Sequence, residues 1–94
     1  MRQGTRQALR AIKERVRANA FGYSDEAFEQ MVDEGLYEED VKRAVATAHL
    51  AGVFRSESGG TGYILQGFGM DEEPVEIHCC PDRPRVLISA VARL

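Results

Sequence analysis

Apolar positions change period once along this chain. In residues 5–20, Leu9, Ile12 and Val16 recur at i, i+3 and i+7, and Ala20 extends the stripe. That spacing predicts an amphipathic helix, with Gly22 ending or bending it. A second helix is marked by Ser24 as N-cap, followed by Asp25 and Glu26 in a first turn whose dipole favours negative charge. Tyr23 and Phe28 occupy the two hydrophobic-staple positions. Phe28, Met31 and Val32 are the expected buried stripe, and Gly35 stands where a left-handed cap belongs. A third helix follows almost at once. Its stripe is Val41, Ala44, Val45 and Ala48, and Gly52 is expected to close it.

Beyond Gly52 the period becomes two. Residues 53–57 predict a short strand, and Ser58-Gly59-Gly60-Thr61 a turn. Residues 62–69 predict another strand, weakened by three glycines. Val75, Ile77 and Cys79 alternate with Glu76, His78 and Cys80, as in a half-buried strand. Residues 86–92 form the most apolar strand. Short turns between these segments favour an antiparallel meander. The expectation is one α+β domain over residues 1–94. It has a basic N-terminal helix in 1–22, a helix pair in 23–52, and an antiparallel sheet of three or four strands in 53–94, with the helices on one face.

Charge refines the first two segments. Net charge is -3. Residues 1–20 carry six basic side chains and one acidic; residues 21–50 carry two basic and eight acidic. Arg6, Arg10, Lys13 and Arg17 fall at i, i+4, i+7 and i+11, a basic face beside the apolar one. Such a row suits phosphate contacts on RNA or docking to an acidic protein surface. The acidic helix pair of the same chain, or of a second copy, is one such surface, so the expected partner is another protein or a second copy, in a head-to-tail or symmetric dimer. An acidic whole with one basic segment argues against sequence-specific DNA binding. Neither a membrane span nor a signal peptide is expected, and the cytoplasm is the default compartment.

Tyr23, Ser24, Ala27, Met31, Gly35, Leu36, Asp40, Val41 and Ala44 preserve an order and spacing through two helices and a turn. The segment resembles the small prokaryotic "domain of unknown function 4258" family, which is similar to the BrnT and RelE-type toxins, ribonucleases of toxin–antitoxin pairs. The resemblance implies the same helix order followed by a curled antiparallel sheet. Its usual pattern is Y-S-x-H-A-x-x-R-M-x-x-R-G-I, then a helix beginning T-x-x-D-V. This chain departs from it at the polar positions. The histidine is replaced by Glu26, the two arginines by Gln30 and Glu34, and the capping threonine by Tyr37. No aromatic residue follows Phe68, where the family's last strand often ends in one. Metal-free RNA cleavage needs a base, an acid and a cation for the phosphorane charge, and none carries over from the family. The expectation is therefore a non-catalytic binding or regulatory module. The alternative is a divergent ribonuclease using replacement groups such as His78, Arg83 and Arg85.

Remaining chemistry is sparse. His78, Cys79 and Cys80 could begin a metal or redox site, but zinc needs three or four ligands and His49 is the only other histidine. A packed Cys79 with a surface His78 is favoured, and neither a metal nor a cofactor is expected. Cys80 lies close in sequence to Arg83 and Arg85, which could activate a thiolate. Arg93, with Arg83 and Arg85, could form a second basic patch, faced by Arg55 and Tyr63. The glycine-rich turn lacks the ending of a phosphate loop.

Overall fold

The computed structural model describes residues 3–82 and 84–94. In chain order these form α1 (Gln3–Arg17), β1 (Phe21–Tyr23), α2 (Asp25–Glu34), α3 (Glu38–Thr47), β2 (His49–Arg55), β3 (Thr61–Phe68), β4 (Pro74–Asp82) and β5 (Arg85–Arg93). The class is α+β. No described helix is long and apolar enough to cross a membrane.

The sheet corrects the expected one. In place of three or four antiparallel strands there are five in mixed orientation, in the order β1-β5-β4-β3-β2. Strands β2 to β5 pair antiparallel with their sequence neighbours. The addition is β1, which lies parallel to β5 with Phe21 opposite Val86 and Tyr23 opposite Ile88. It comes from a stretch that the sequence assigned to the first two helices. Helix α1 stops at Arg17, and Asn19 takes a left-handed conformation (φ 62°) that turns the chain. Three residues cannot display a period of two. Phe21–Tyr23 becomes a strand because β5 supplies partners: Val86 N donates to Ala20 O at 3.0 Å, and Ser24 N donates to Ile88 O at 2.9 Å.

A second correction concerns the end of α3. The helix ends at Thr47, not at Gly52, and β2 has begun by His49. Thr47 makes the change of direction. Its hydroxyl donates to Arg43 O and accepts from Phe68 N, both at 2.9 Å, while Ala48 is already extended (φ -71°, ψ 149°). Gly52 lies inside β2, next to a register shift between Leu50 and Gly52.

One sheet face is the core face. Leu65, Ile77 and Val91 stand in register across β3, β4 and β5, and Cys79 stands opposite Ile88. They pack against Ile12 and Val16 of α1, Ala27 and Met31 of α2, and Val41, Ala44 and Val45 of α3. Helix α3 comes so close to β3 that a Cβ on Gly67 would collide with the carbonyl oxygen of Ala44. Gly67, which weakened the strand reading, is what allows the helix to sit there. The alternate positions Gln66, Glu76, His78 and Cys80 lie on the opposite face. There the ring of Phe54 covers Gly62, in the space a Cβ would need.

The caps of α2 form as expected. Ser24 Oγ accepts from Ala27 N at 3.1 Å. Gly35 has φ 67°, and Leu36 N donates to Met31 O at 2.8 Å. The buried stripe is different. Ala27 and Met31 are buried, whereas Phe28 is 58% and Val32 66% exposed. Helix α2 lies over β5 and β1, and residues 27 and 31 point into that contact. Residues 28 and 32 are each one step of about 100° further round the helix and face away.

Candidate functional site

Ile12 and Val16 are fully buried, which fixes how α1 is rotated. Arg6, Arg10, Lys13 and Arg17 consequently line a groove between α1 and α3, with a volume of about 960 Å³. Lys42 and Arg43 join them from α3, and Leu9, Val16, Ala46 and Met70 supply apolar wall. Among the described residues, Glu14 and Glu39 are the only carboxylates on its lining. The sequence reading thus located four of six cations. It missed Lys42 and Arg43, whose signal was their place beside the buried Val41, Ala44 and Val45.

These cations differ in how far they are engaged. Lys13 Nζ donates to Ala46 O at 3.1 Å, joining the two walls, and Lys42 Nζ donates to Asn19 Oδ1 at 2.6 Å. Arg43 pairs with Glu72 at 3.2 Å, but both side chains are well exposed, so the pair contributes little. Arg6, Arg10 and Arg17 make no ion pair among the described residues. What the groove presents is a row of available guanidinium groups over an apolar floor, able to attract an anion-bearing partner and to bury apolar side chains from it.

The remaining candidates are scattered. His78 Nε2 lies 3.0 Å from Glu76 Oε2, and Gln66 Nε2 donates to Glu76 Oε1 at 2.9 Å. These hydrogen bonds, that from Gln66 foremost, hold the Glu76 carboxyl below its ordinary range. The Phe54 ring lies 5.6 Å from the imidazole, centroid to centroid. Arg85 is not part of this cluster. It stands opposite Asp82 whereas His78 stands opposite Ala90, and its guanidinium donates to the carbonyl of Phe21. Arg83 lies outside the described residues.

Among the described residues the other arginines assemble no second basic patch. Arg93 donates to Glu34 O at 2.8 Å and to Gly35 O at 3.4 Å, closing the C-terminus of α2. Arg55 Nη1 donates to Gly59 O within its own turn, and Tyr63 packs against the core. Burial, with Cys80 adjacent, pushes the Cys79 thiol up to about 12, and burial also raises Cys80. Both cysteines are therefore thiols at neutral pH. Among the described residues no three His, Cys, Asp or Glu side chains converge as metal ligands would.

A smaller hollow of about 390 Å³ opens beside α2, where Tyr23, Phe28, Val32 and Tyr37 meet Met31 and Leu36. Tyr23 Oη donates to Glu38 Oε1 at 3.3 Å, and burial together with that carboxylate raises the phenol above its ordinary range. Comparison of the chain with protein-family models, curated proteins and solved structures finds no match.

Proposed function

We propose that this domain is a non-catalytic binding or regulatory module on a RelE/BrnT toxin-like scaffold, working in the cytoplasm by receiving an acidic protein surface in the α1–α3 groove. One observation carries this reading. An acidic protein concentrates six cations around a single groove, and three of the arginines have no carboxylate partner among the described residues. A groove lined by one sign of charge raises the local concentration of an opposite partner and speeds encounter. Its apolar floor adds contact area that a small inorganic anion would not use. Replacement of the family's histidine and arginines by Glu26, Gln30 and Glu34 supports the non-catalytic part of the reading.

The test is a titration with polyglutamate and with RNA, following wild type and the Arg10→Glu/Arg17→Glu variant. Salt-sensitive binding of polyglutamate that the variant weakens by about tenfold or more supports the reading. RNA cleavage by the purified protein, abolished by one substitution, overturns it.

The alternative is a divergent ribonuclease, favoured by the His78–Glu76 pair. An ionised carboxylate at 3.0 Å orients an imidazole as a base requires. Under that reading expression arrests growth, the product of a neighbouring gene relieves the arrest, and His78→Ala removes it.

A further inference from the structure

Two surfaces of this chain match each other. The outward side of α2 carries Asp25, Glu29 and Asp33 at i, i+4 and i+8, a row about 12 Å long at helical rise. Phe28 and Val32 stand beside this row, 58% and 66% exposed. The helix contains no basic residue, and none of the three carboxylates has an ion pair among the described residues. On α1, Arg6 to Arg17 make a row about 16 Å long. Its groove is floored by Leu9, Ala46 and Met70, the last 56% exposed. Charge is opposite in sign, the rows are similar in length, and each has apolar groups beside it.

Helix α2 cannot fill the groove of its own chain. It is held over β5 and β1, with Gln30 Oε1 accepting from Val91 N at 2.9 Å and Arg93 closing its last turn. An occupant with this chemistry has to come from another molecule. We infer that the α1–α3 groove receives the acidic, Phe28-bearing ridge of α2 from a second copy of this chain. The inference rests on the groove being a protein-docking site, and it names the partner. Each copy carries one ridge and one groove, so copies either pair reciprocally in a symmetric dimer or add head to tail into a ring or a chain. Screening weakens it, since the Debye length falls from about 10 Å at 0.1 M salt to about 3 Å at 1 M.

Sedimentation velocity across a concentration series is the test. At low salt, wild type is expected to form species larger than the monomer, which return to monomer near 1 M salt. Glu29→Lys/Asp33→Lys removes the ridge, and Arg10→Glu/Arg17→Glu removes the groove. Each variant alone is expected to be monomeric with an unchanged circular dichroism spectrum and melting curve, because the substituted side chains are exposed. An equimolar mixture is expected to give a 1:1 dimer that grows no further, since one variant retains the groove and the other the ridge. Wild type that stays monomeric at low salt overturns the inference, as does a mixture that fails to dimerise. Monomeric wild type that still binds polyglutamate through Arg10 and Arg17 overturns only the second copy as partner and leaves the docking groove standing. Loss of both sinks both.

Discussion

Helices α2 and α3 are consecutive, equally long at ten residues, and both acidic in the first turn, yet they are held in opposite ways. Helix α3 buries Asp40, Val41, Ala44 and Val45, and its backbone touches β3 at Gly67. Helix α2 buries only Ala27 and Met31 and exposes two large apolar side chains. The difference lies in what is beneath each. Helix α3 packs on β3 and β4 towards the middle of the sheet, whereas α2 covers β5 and the three-residue edge strand β1. Similar local sequence thus yields one helix that anchors the fold and another that displays a surface.

The harshest break of this comparison is at Gly67. Alanine there drives a methyl group into the Ala44 carbonyl, and a helix backbone cannot yield as a flexible side chain can. Gly67→Ala should cost about 3 kcal/mol in urea unfolding. A loss no greater than that of an exposed substitution would show that α3 can move off β3 and is less of an anchor than argued.

Asp40 comes next. It is the one buried charged residue among those described, 7% exposed. Its Oδ2 accepts from Tyr37 N at 2.9 Å and its Oδ1 from Met70 N at 3.0 Å, joining the start of α3 to the β3–β4 connection. Those two backbone hydrogen bonds hold its carboxyl below the usual range. Asp40→Ala should cost about 2 kcal/mol. With the folded value depressed, the stabilisation is complete above the ordinary aspartate value of about 3.9 and is lost as pH falls below it. Asp40→Asn should therefore lose stability at pH 7 and show a flatter acid limb than wild type in melting curves. An unchanged acid limb would mean that Asp40 is not held as its hydrogen bonds indicate.

On α2 the corresponding lesion is milder. Ser24 Oγ caps the helix through Ala27 N, so Ser24→Ala should cost about 1 kcal/mol. Denaturant midpoints can rank it against Asp40→Ala. If the Ser24 variant is the worse of the two, the assignment of anchor and display is reversed.

How the sequence foretold these helices follows from scale. Capping is local, so Ser24 and Gly35 were legible with their partners. The basic row of α1 was legible because charge and helical period coincide, and burial of Ile12 and Val16 left it facing outward. The second wall of the groove was not, because Lys42 and Arg43 join the row only once α3 lies beside α1. Strand β1 is too short to carry a pattern and exists through a partner more than sixty residues away. The α2 stripe misled because Phe28 and Val32 outweigh Ala27 in hydrophobicity, while the small Ala27 is what lets the helix approach the sheet. The acidic residues Glu26 and Glu34 were plain in the sequence, but only the fold shows Gln30 bound to Val91 N.

The smallest expected effect separates display from anchoring most directly. A buried phenylalanine removed from a core typically costs several kcal/mol. Phe28 is more than half exposed, so Phe28→Ser should stay within about 0.5 kcal/mol of wild type in urea unfolding. Serine and phenylalanine have similar helix propensities, so the exchange adds no backbone cost of its own. Where the α2 ridge docks in the groove of a second copy, the same substitution removes an apolar group from the ridge, so self-association at low salt should weaken while the unfolding midpoint of the monomer holds. A selective loss of association would give the exposed aromatic a use. A fall in stability comparable to Asp40→Ala would instead place Phe28 in the core and erase the contrast between the two helices.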